Sequence, residues 1–363
     1  EEGRFDQTAV LRYREMLKGL RTRGIEPMVT LFHFTTPLWL ARQGGWSSPS
    51  SIGHFRRFVH FVAKQLGDLV TLWCTINEPN VYAALGYLLG EHAPGIKSPN
   101  LYFRVLEHLL QAHALAYRTI HALRGDAQVG LVKQVQIFEA LEPADRASAG
   151  LARFLDYMFN ELTMRAVVDG RLRFPLSWNP RTHGPLVDSV DFWGLNYYYR
   201  QRVSLRNRNG GRLSLLQPTP GAEVSDSGRN GPYGEIYPPG IYRALDRLRH
   251  LGKPIYITEN GLPDASDRLR PSFLLTHLAQ VQRAISEGID VRGYYHWSFT
   301  DNFEWAEGWA LRFGLIALDH QTQIRSPRPS ASLFSQMIGA NAITRDIVAA
   351  YAPELLSEIF PHE

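Results

Sequence analysis

Apolar positions along the chain switch repeatedly between a helical period and short unbroken runs. Val10, Leu11, Leu17 and Leu20 recur near helical spacing after a candidate N-cap at Asp6. Gly24 can take the left-handed position beyond the last turn, and Pro27 forbids continuation. The run MVTLFHF at 28–34 follows, short and continuously apolar, as a buried strand should be. The cycle then repeats: Phe55, Phe58, Val59, Val62 and Leu66 mark one helical face, Gly67 closes it, and LVTLWCTIN at 69–77 reads as the next strand. Helices expected near 101–124, 151–168, 240–250 and 272–287 precede the strand-like runs VGLVKQV (129–135), VDFWGLNYY (190–198), PIYITEN (254–260) and VRGYYHWSF (291–299).

Regular alternation of buried strands with amphipathic helices predicts an α/β protein with a parallel sheet, doubly wound or closed into a barrel. The polar residues discriminate. His33, Asn77 with Glu78, Asn196, Glu259 and the stretch after Trp297 each fall at the C-terminal end of a different strand, and a barrel gathers all such ends on one rim. A doubly wound sheet would commonly carry a glycine-rich phosphate loop, and no such motif is found. The expected fold is therefore a (β/α)8 TIM-type barrel, with about six of the eight strands recognisable, forming one domain over residues 1–363. The segment 201–238, rich in Gly, Ser, Asn and Pro, reads as a loop over that rim.

Composition narrows the function classes. With 44% hydrophobic and 12% aromatic residues among 363, the chain can bury a large core, which excludes disorder and fibre. The 39 basic and 35 acidic side chains leave a charge of only +4, and the densest basic stretch, 202–212, is interleaved with Ser, Asn and Gly as a solvated loop would be. A nucleic-acid partner is not expected. Cys74 is the only cysteine, so an internal disulfide and a Cys-rich metal site are both excluded. No apolar run reaches the length of about 18 residues that a membrane span needs. The chain opens EEGRFDQ, without an initiator Met, so its start says little about targeting, and a reducing, cytoplasmic location is the expectation.

Candidate chemistry lies in two short motifs. TINEP at 75–79 and ITENG at 257–261 each end an apolar strand in a glutamate. Alone, each is more simply a solvated rim residue. Together they supply the two carboxylates that glycoside hydrolysis requires. From its start through about residue 335 the chain resembles glycoside hydrolase family 1. That resemblance implies Glu78 as acid/base and Glu259 as nucleophile. Through TLFHFTTPLWL (30–40) it implies His33 as a ligand to a ring hydroxyl, where a core histidine is otherwise the plainer reading. Asn77 would bind the 2-hydroxyl. Through GLNYYY (194–199), Asn196 would line the site and Tyr198 would touch the nucleophile, although three successive tyrosines suit wall packing equally. Through YHWSFTDNFEWAEGWALRFGL (295–315), Trp297 would stack on the sugar, Glu304 would accept from its 4- and 6-hydroxyls, and the Trp305 indole N–H would reach another hydroxyl.

The implied activity is that of a retaining β-glycosidase, most simply a β-glucosidase, acting on a small β-glycoside or oligosaccharide with no metal and no other cofactor. Retention requires the two carboxyls to lie about 5–5.5 Å apart. Glu304 would repel a 6-phosphate, and the presence of Glu78 disfavours the thioglucosidase branch. The pattern departs from the family at one end. Members carry two further strands before the point where this chain starts, with a glutamine and an arginine of the site. Edges left open at 28–34 and 291–299 would need cover from an N-terminal segment or from a homo-oligomer. The competing reading is a catalytically impaired sugar-binding or interaction protein on a truncated barrel.

Overall fold

In the computed structural model, which describes residues 2–361 apart from 178–180, 207, 210, 211, 214 and 230, six strands form where apolar runs predict them. They are β1 (Met28–Phe32), β2 (Leu72–Asn77), β3 (Gln128–Gln134), β4 (Phe192–Tyr197), β5 (Ile255–Asn260) and β6 (Val291–His296). The chain divides into two compact units, Glu1–Gln134 with Phe159–Gly194, and Val135–Met158 with Leu195–Glu363, and the division falls within β4.

The first unit opens with the helix Gln7–Arg21. The Asp6 carboxylate accepts from the amides of Thr8 and Ala9 at 2.8 and 3.2 Å. Gly24 has φ +72°, and the amide of Ile25 returns to the Leu20 carbonyl at 3.1 Å, ending the helix in a left-handed cap. Only Leu17 of this helix is buried, and Leu11, expected on its inner face, is 62% exposed. Helical spacing identifies a face, not what covers it. The helix Ser50–Leu66 does bury a continuous stripe, Phe55, Val59, Ala63 and Leu66, against the helix Pro99–Leu123, whose inner side carries Val105, Leu106, Leu109, Ala112 and Ala116. Phe58 lies at the exposed edge of that stripe.

Strands β1, β2 and β3 run parallel, with Met28 opposite Leu72 and Leu72 opposite Gln128. β2 begins three residues later than its apolar run because Leu69 is still in a turn, its amide donating to the Leu66 carbonyl at 2.9 Å. Asp191, just before β4, exchanges bonds with Val129 at the start of β3: backbone to backbone at 2.8 Å, and side chain to the Val129 amide at 2.8 Å. Gly130 permits this approach, since a Cβ there would meet the Phe192 ring at 2.3 Å.

In the second unit β5 and β6 pair in parallel, from Ile255 opposite Val291 to Asn260 opposite His296. Leu274 and Leu275 of the helix Arg270–Ser286 pack with Leu333 and Met337 of Pro329–Ala340 and with Ile347 and Val348 of Arg345–Tyr351. The segment expected as an irregular loop holds short ladders instead. Arg200–Val203 pairs in parallel with Ile137–Ala140 and antiparallel with Leu216–Gln217, and Ser227–Gly228 pairs with Gly231–Pro232. Positions 207, 210, 211, 214 and 230 of that segment lie outside the described residues. These strands escape an apolar pattern because ion pairs hold them: Arg200, Arg202 and Arg243 converge on Glu139 at 3.1, 2.8 and 2.5 Å. Among the described residues no helix is long and apolar enough to cross a membrane.

Candidate active site

In the first unit the candidate residues sit at the ends of β1 and β2. The β2–β3 register breaks between Cys74 and Asn77, immediately before Glu78. Such irregularities bend a strand and re-aim the next side chain. Glu78 itself has φ +44° and ψ +61°, a left-handed conformation that costs a non-glycine residue about 1–3 kcal/mol and is held only where the surroundings demand it. The demand is visible. The Glu78 amide donates to the Val132 carbonyl at 2.9 Å, and the Glu78 carbonyl accepts from the amides of Val81 and Tyr82 at 3.0 Å each, starting a short helix with Pro79 in its first turn. The residue is 6% exposed. Behind it, the Thr75 hydroxyl is hydrogen-bonded to His113 Nδ1 at 2.7 Å.

The Asn77 amide nitrogen lies 3.2 Å from His33 Nε2. An amide N–H can donate there only to an unprotonated ring nitrogen. Burial pushes the His33 pKa down to about 4, so the neutral ring agrees with that bond. His33 extends from a rigid base, because Phe32 packs edge-on to Trp46 and Tyr82, each at 5.2 Å.

The second unit brings together most of the other candidates. The Tyr198 hydroxyl donates to Glu259 Oε2 at 2.5 Å, with both residues 7% exposed. A bond of this kind orients the carboxylate and favours its charged form. The Tyr198 ring also packs edge-on to Tyr233 and Phe313, in a cluster with Leu311 that Trp297 flanks, so the wall contact and the carboxylate contact coexist. The Thr258 hydroxyl donates to Asn196 Oδ1 at 2.6 Å. Here too the ladder is irregular, between Ile257 and Asn260, so Glu259 sits inside a register break as Glu78 sits beside one.

Trp297 follows β6, and its indole N–H donates to Glu304 Oε1 at 3.3 Å. Burial pushes the Glu304 pKa up to about 7, and the bonds from Trp297 and Asn302 only partly oppose it. Trp305 has φ +48° and begins a tight turn in which the Glu304 amide donates to the Gly308 carbonyl at 2.7 Å. The segment is braced by buried Asp301, which accepts from the Gly314 and Leu318 amides at 2.8 and 3.2 Å and from both terminal nitrogens of Arg328 at 3.1 and 2.9 Å.

Of the nine candidates, His33, Asn77 and Glu78 belong to the first unit, and Asn196, Tyr198, Glu259, Trp297, Glu304 and Trp305 to the second. Asp301, Thr258, Asn260 and Gly261 were not singled out from sequence. Their only signal is membership of the motifs 257–261 and 295–315, since a buried carboxylate awaiting Arg328 looks like any surface aspartate. Gly261 is the clearest case: a Cβ there would lie 1.8 Å from the Trp297 carbonyl oxygen.

Each unit thus holds a buried strand-end glutamate, following an asparagine bonded to a neutral histidine in the first and bonded to a tyrosine in the second, whose indoles flank a further carboxyl; such side chains are the equipment of a carbohydrate-cleaving protein. Residues 1–343 match the family model described as Glycosyl hydrolase family 1. The β-galactosidase of Pyrococcus woesei is 30% identical over 374 residues, spanning 93% of this chain and 73% of that protein. Among solved structures, the β-glycosidase from Pyrococcus horikoshii superposes with a TM-score of 0.85 at 37% identity, covering 97% of this chain and 80% of that one. The β-glucosidase from Thermotoga maritima in complex with galacto-hydroximolactam superposes at 0.83 with 30% identity, covering 94% and 80%. The chain belongs to glycosyl hydrolase family 1: its fold is of the (β/α)8-barrel type and it is a retaining β-glycosidase.

Proposed function

We propose that Glu259 is the nucleophile and Glu78 the acid/base of a two-step displacement on β-glucosides and β-galactosides that carry no 6-phosphate. The observation that carries this assignment is the 2.5 Å bond from the Tyr198 hydroxyl to Glu259, which orients one carboxylate and favours its charged form, as a nucleophile requires. In the first step Glu259 attacks the anomeric carbon while Glu78 protonates the leaving oxygen. In a displacement of this kind the charge on the nucleophile disfavours ionisation of the acid/base and keeps it an acid. Esterification of Glu259 removes that charge, so Glu78 can then take a proton from the attacking water. Neither step calls for a metal or redox cofactor.

Asn77 is assigned to the 2-hydroxyl, His33 to a second ring hydroxyl, and Asn196 to the wall of the site. Trp297 offers its face to the sugar, Glu304 accepts from the 4- and 6-hydroxyls, and the indole N–H of Trp305 donates to a further hydroxyl. A carboxylate at that end disfavours phosphorylated sugars. Both sugar configurations are proposed because one relative is named a β-galactosidase and a β-glucosidase neighbour holds a galacto-configured inhibitor. The proposed substrate is a small β-glycoside or oligosaccharide.

Nitrophenol release from aryl β-glucosides, β-galactosides and β-fucosides, measured beside Glu259→Gln and Glu78→Gln, tests the assignment. Glu259→Gln is expected to lose activity by at least about 10³-fold, and Glu78→Gln by about 10²–10⁴-fold, least for the best leaving groups, which need no proton. Undiminished turnover by Glu259→Gln would sink it.

A further inference from the structure

We infer that Asn260 is a positioning residue for the nucleophile, locking the end of β5 to β4 and β6 so that Glu259 and the Tyr198 hydroxyl stay in register. The inference rests on the reading of Glu259 as nucleophile. Asn260 is completely buried. Its amide nitrogen donates to the Tyr197 carbonyl at 2.7 Å, its Oδ1 accepts from the Tyr294 hydroxyl at 2.9 Å, and its backbone carbonyl accepts from the Trp297 amide at 3.0 Å. One residue thus bonds to β4, to β6 and to the residue that follows β6.

The location explains why side chains take this task. The parallel ladder of β5 is irregular between Ile257 and Asn260, so backbone pairing with β6 does not by itself define where Glu259 points. On the β4 side, three consecutive residues meet three consecutive residues of β5 through side-chain bonds: Asn196 with Thr258, Tyr197 with Asn260, and Tyr198 with Glu259. The bonds of residues 197 and 198 to 260 and 259 close a small ring, in which the Asn260 amide fixes the distance that the Tyr198 hydroxyl must span. Tyr197 is itself held from its far end, its hydroxyl donating to the Tyr237 carbonyl at 2.7 Å. Removing the Asn260 amide frees the β5 end to shift, and a 2.5 Å bond has little tolerance for shift.

The readout must separate positioning from mere stability. Donation from Tyr198 favours the ionised form of Glu259, and the acid limb of kcat/KM reports ionisation of that carboxylate in the free enzyme. In Asn260→Ala the acid limb is expected to move up by about half to one pH unit, towards that of Tyr198→Phe, with kcat reduced about 10–100-fold and KM changed by less than about 3-fold. Adding Tyr198→Phe to Asn260→Ala is expected to move the limb little further, because both act on one bond. Tyr294→Phe, which removes the hydroxyl that Oδ1 and, at 3.5 Å, the Asn260 carbonyl share but leaves the bond to Tyr197, should shift the limb in the same direction by less, and it serves if Asn260→Ala does not fold. An unmoved acid limb in the folded variants, with only the thermal midpoint lowered, or limb shifts that add independently to that of Tyr198→Phe, would overturn the inference. Glu259→Gly with added azide separates the underlying reading: if that variant keeps full activity, or if azide restores none as a glycosyl azide, Glu259 is not the nucleophile whatever Asn260 does.

Discussion

Glu304→Gln should make the unliganded protein more stable, by an amount that grows as the pH rises from 4.5 to about 7. Burial raises the Glu304 carboxyl from 4.5 to about 7. A carboxyl whose folded pKa lies above its unfolded value contributes stability in full below pH 4.5, and that contribution is lost as the pH rises through 7. At about 1.36 kcal/mol per pH unit, the ionised side chain costs the folded state about 3 kcal/mol at pH 8, an upper figure because the residue is only half-buried. Glutamine keeps an acceptor for the Trp297 indole and carries no charge, so it escapes this cost. With unfolding entropy of about 2.1 cal/mol/K per residue, 363 residues convert 3 kcal/mol into roughly 4 °C. Thermal unfolding of both proteins from pH 3 to 8.5 should give midpoints that coincide at the acid end, separate progressively from about pH 4.5 and differ by a constant amount above about pH 7, with the variant higher. An equal separation at all pH values, or one that grows towards acid, would refute the reasoning. The same substitution should raise KM for unsubstituted glycosides, so that stability and sugar binding pull in opposite directions at this position.

Two other perturbations follow from the packing of the second unit. Gly261→Ala places a methyl group 1.8 Å from the Trp297 carbonyl oxygen, so the ends of β5 and β6 must separate; a loss of about 1–3 kcal/mol in denaturant unfolding is expected, with kcat falling as Glu259 shifts. Asp301→Ala leaves the largely buried Arg328 guanidinium without its carboxylate and two amides without an acceptor, and should cost about 3–5 kcal/mol; an unchanged unfolding midpoint would show that the brace is dispensable.

Much of the framework was legible in the chain alone, because the signals involved are local. Six apolar runs located six strands, Asp6 and Gly24 bounded the first helix, and two glutamates at strand ends, together with two indoles flanking Glu304, pointed to carbohydrate chemistry. A buried run, a cap or a left-handed glycine expresses itself within a few residues, so it can be read there. Other properties were settled only by partners distant in sequence. Helical spacing did not disclose that Leu11 and Phe58 face solvent, and polar strands such as Arg200–Val203 carried no apolar pattern because Glu139 holds them. The register breaks that aim Glu78 and enclose Glu259, the clamp made by Asn260, and the protonation of Glu304 near neutrality arise from strand pairing and desolvation. The sequence by itself determined which side chains are available for catalysis. Their orientation and charge were decided by tertiary structure, since hydrogen-bond register and the removal of water are properties of neighbours brought together by the fold.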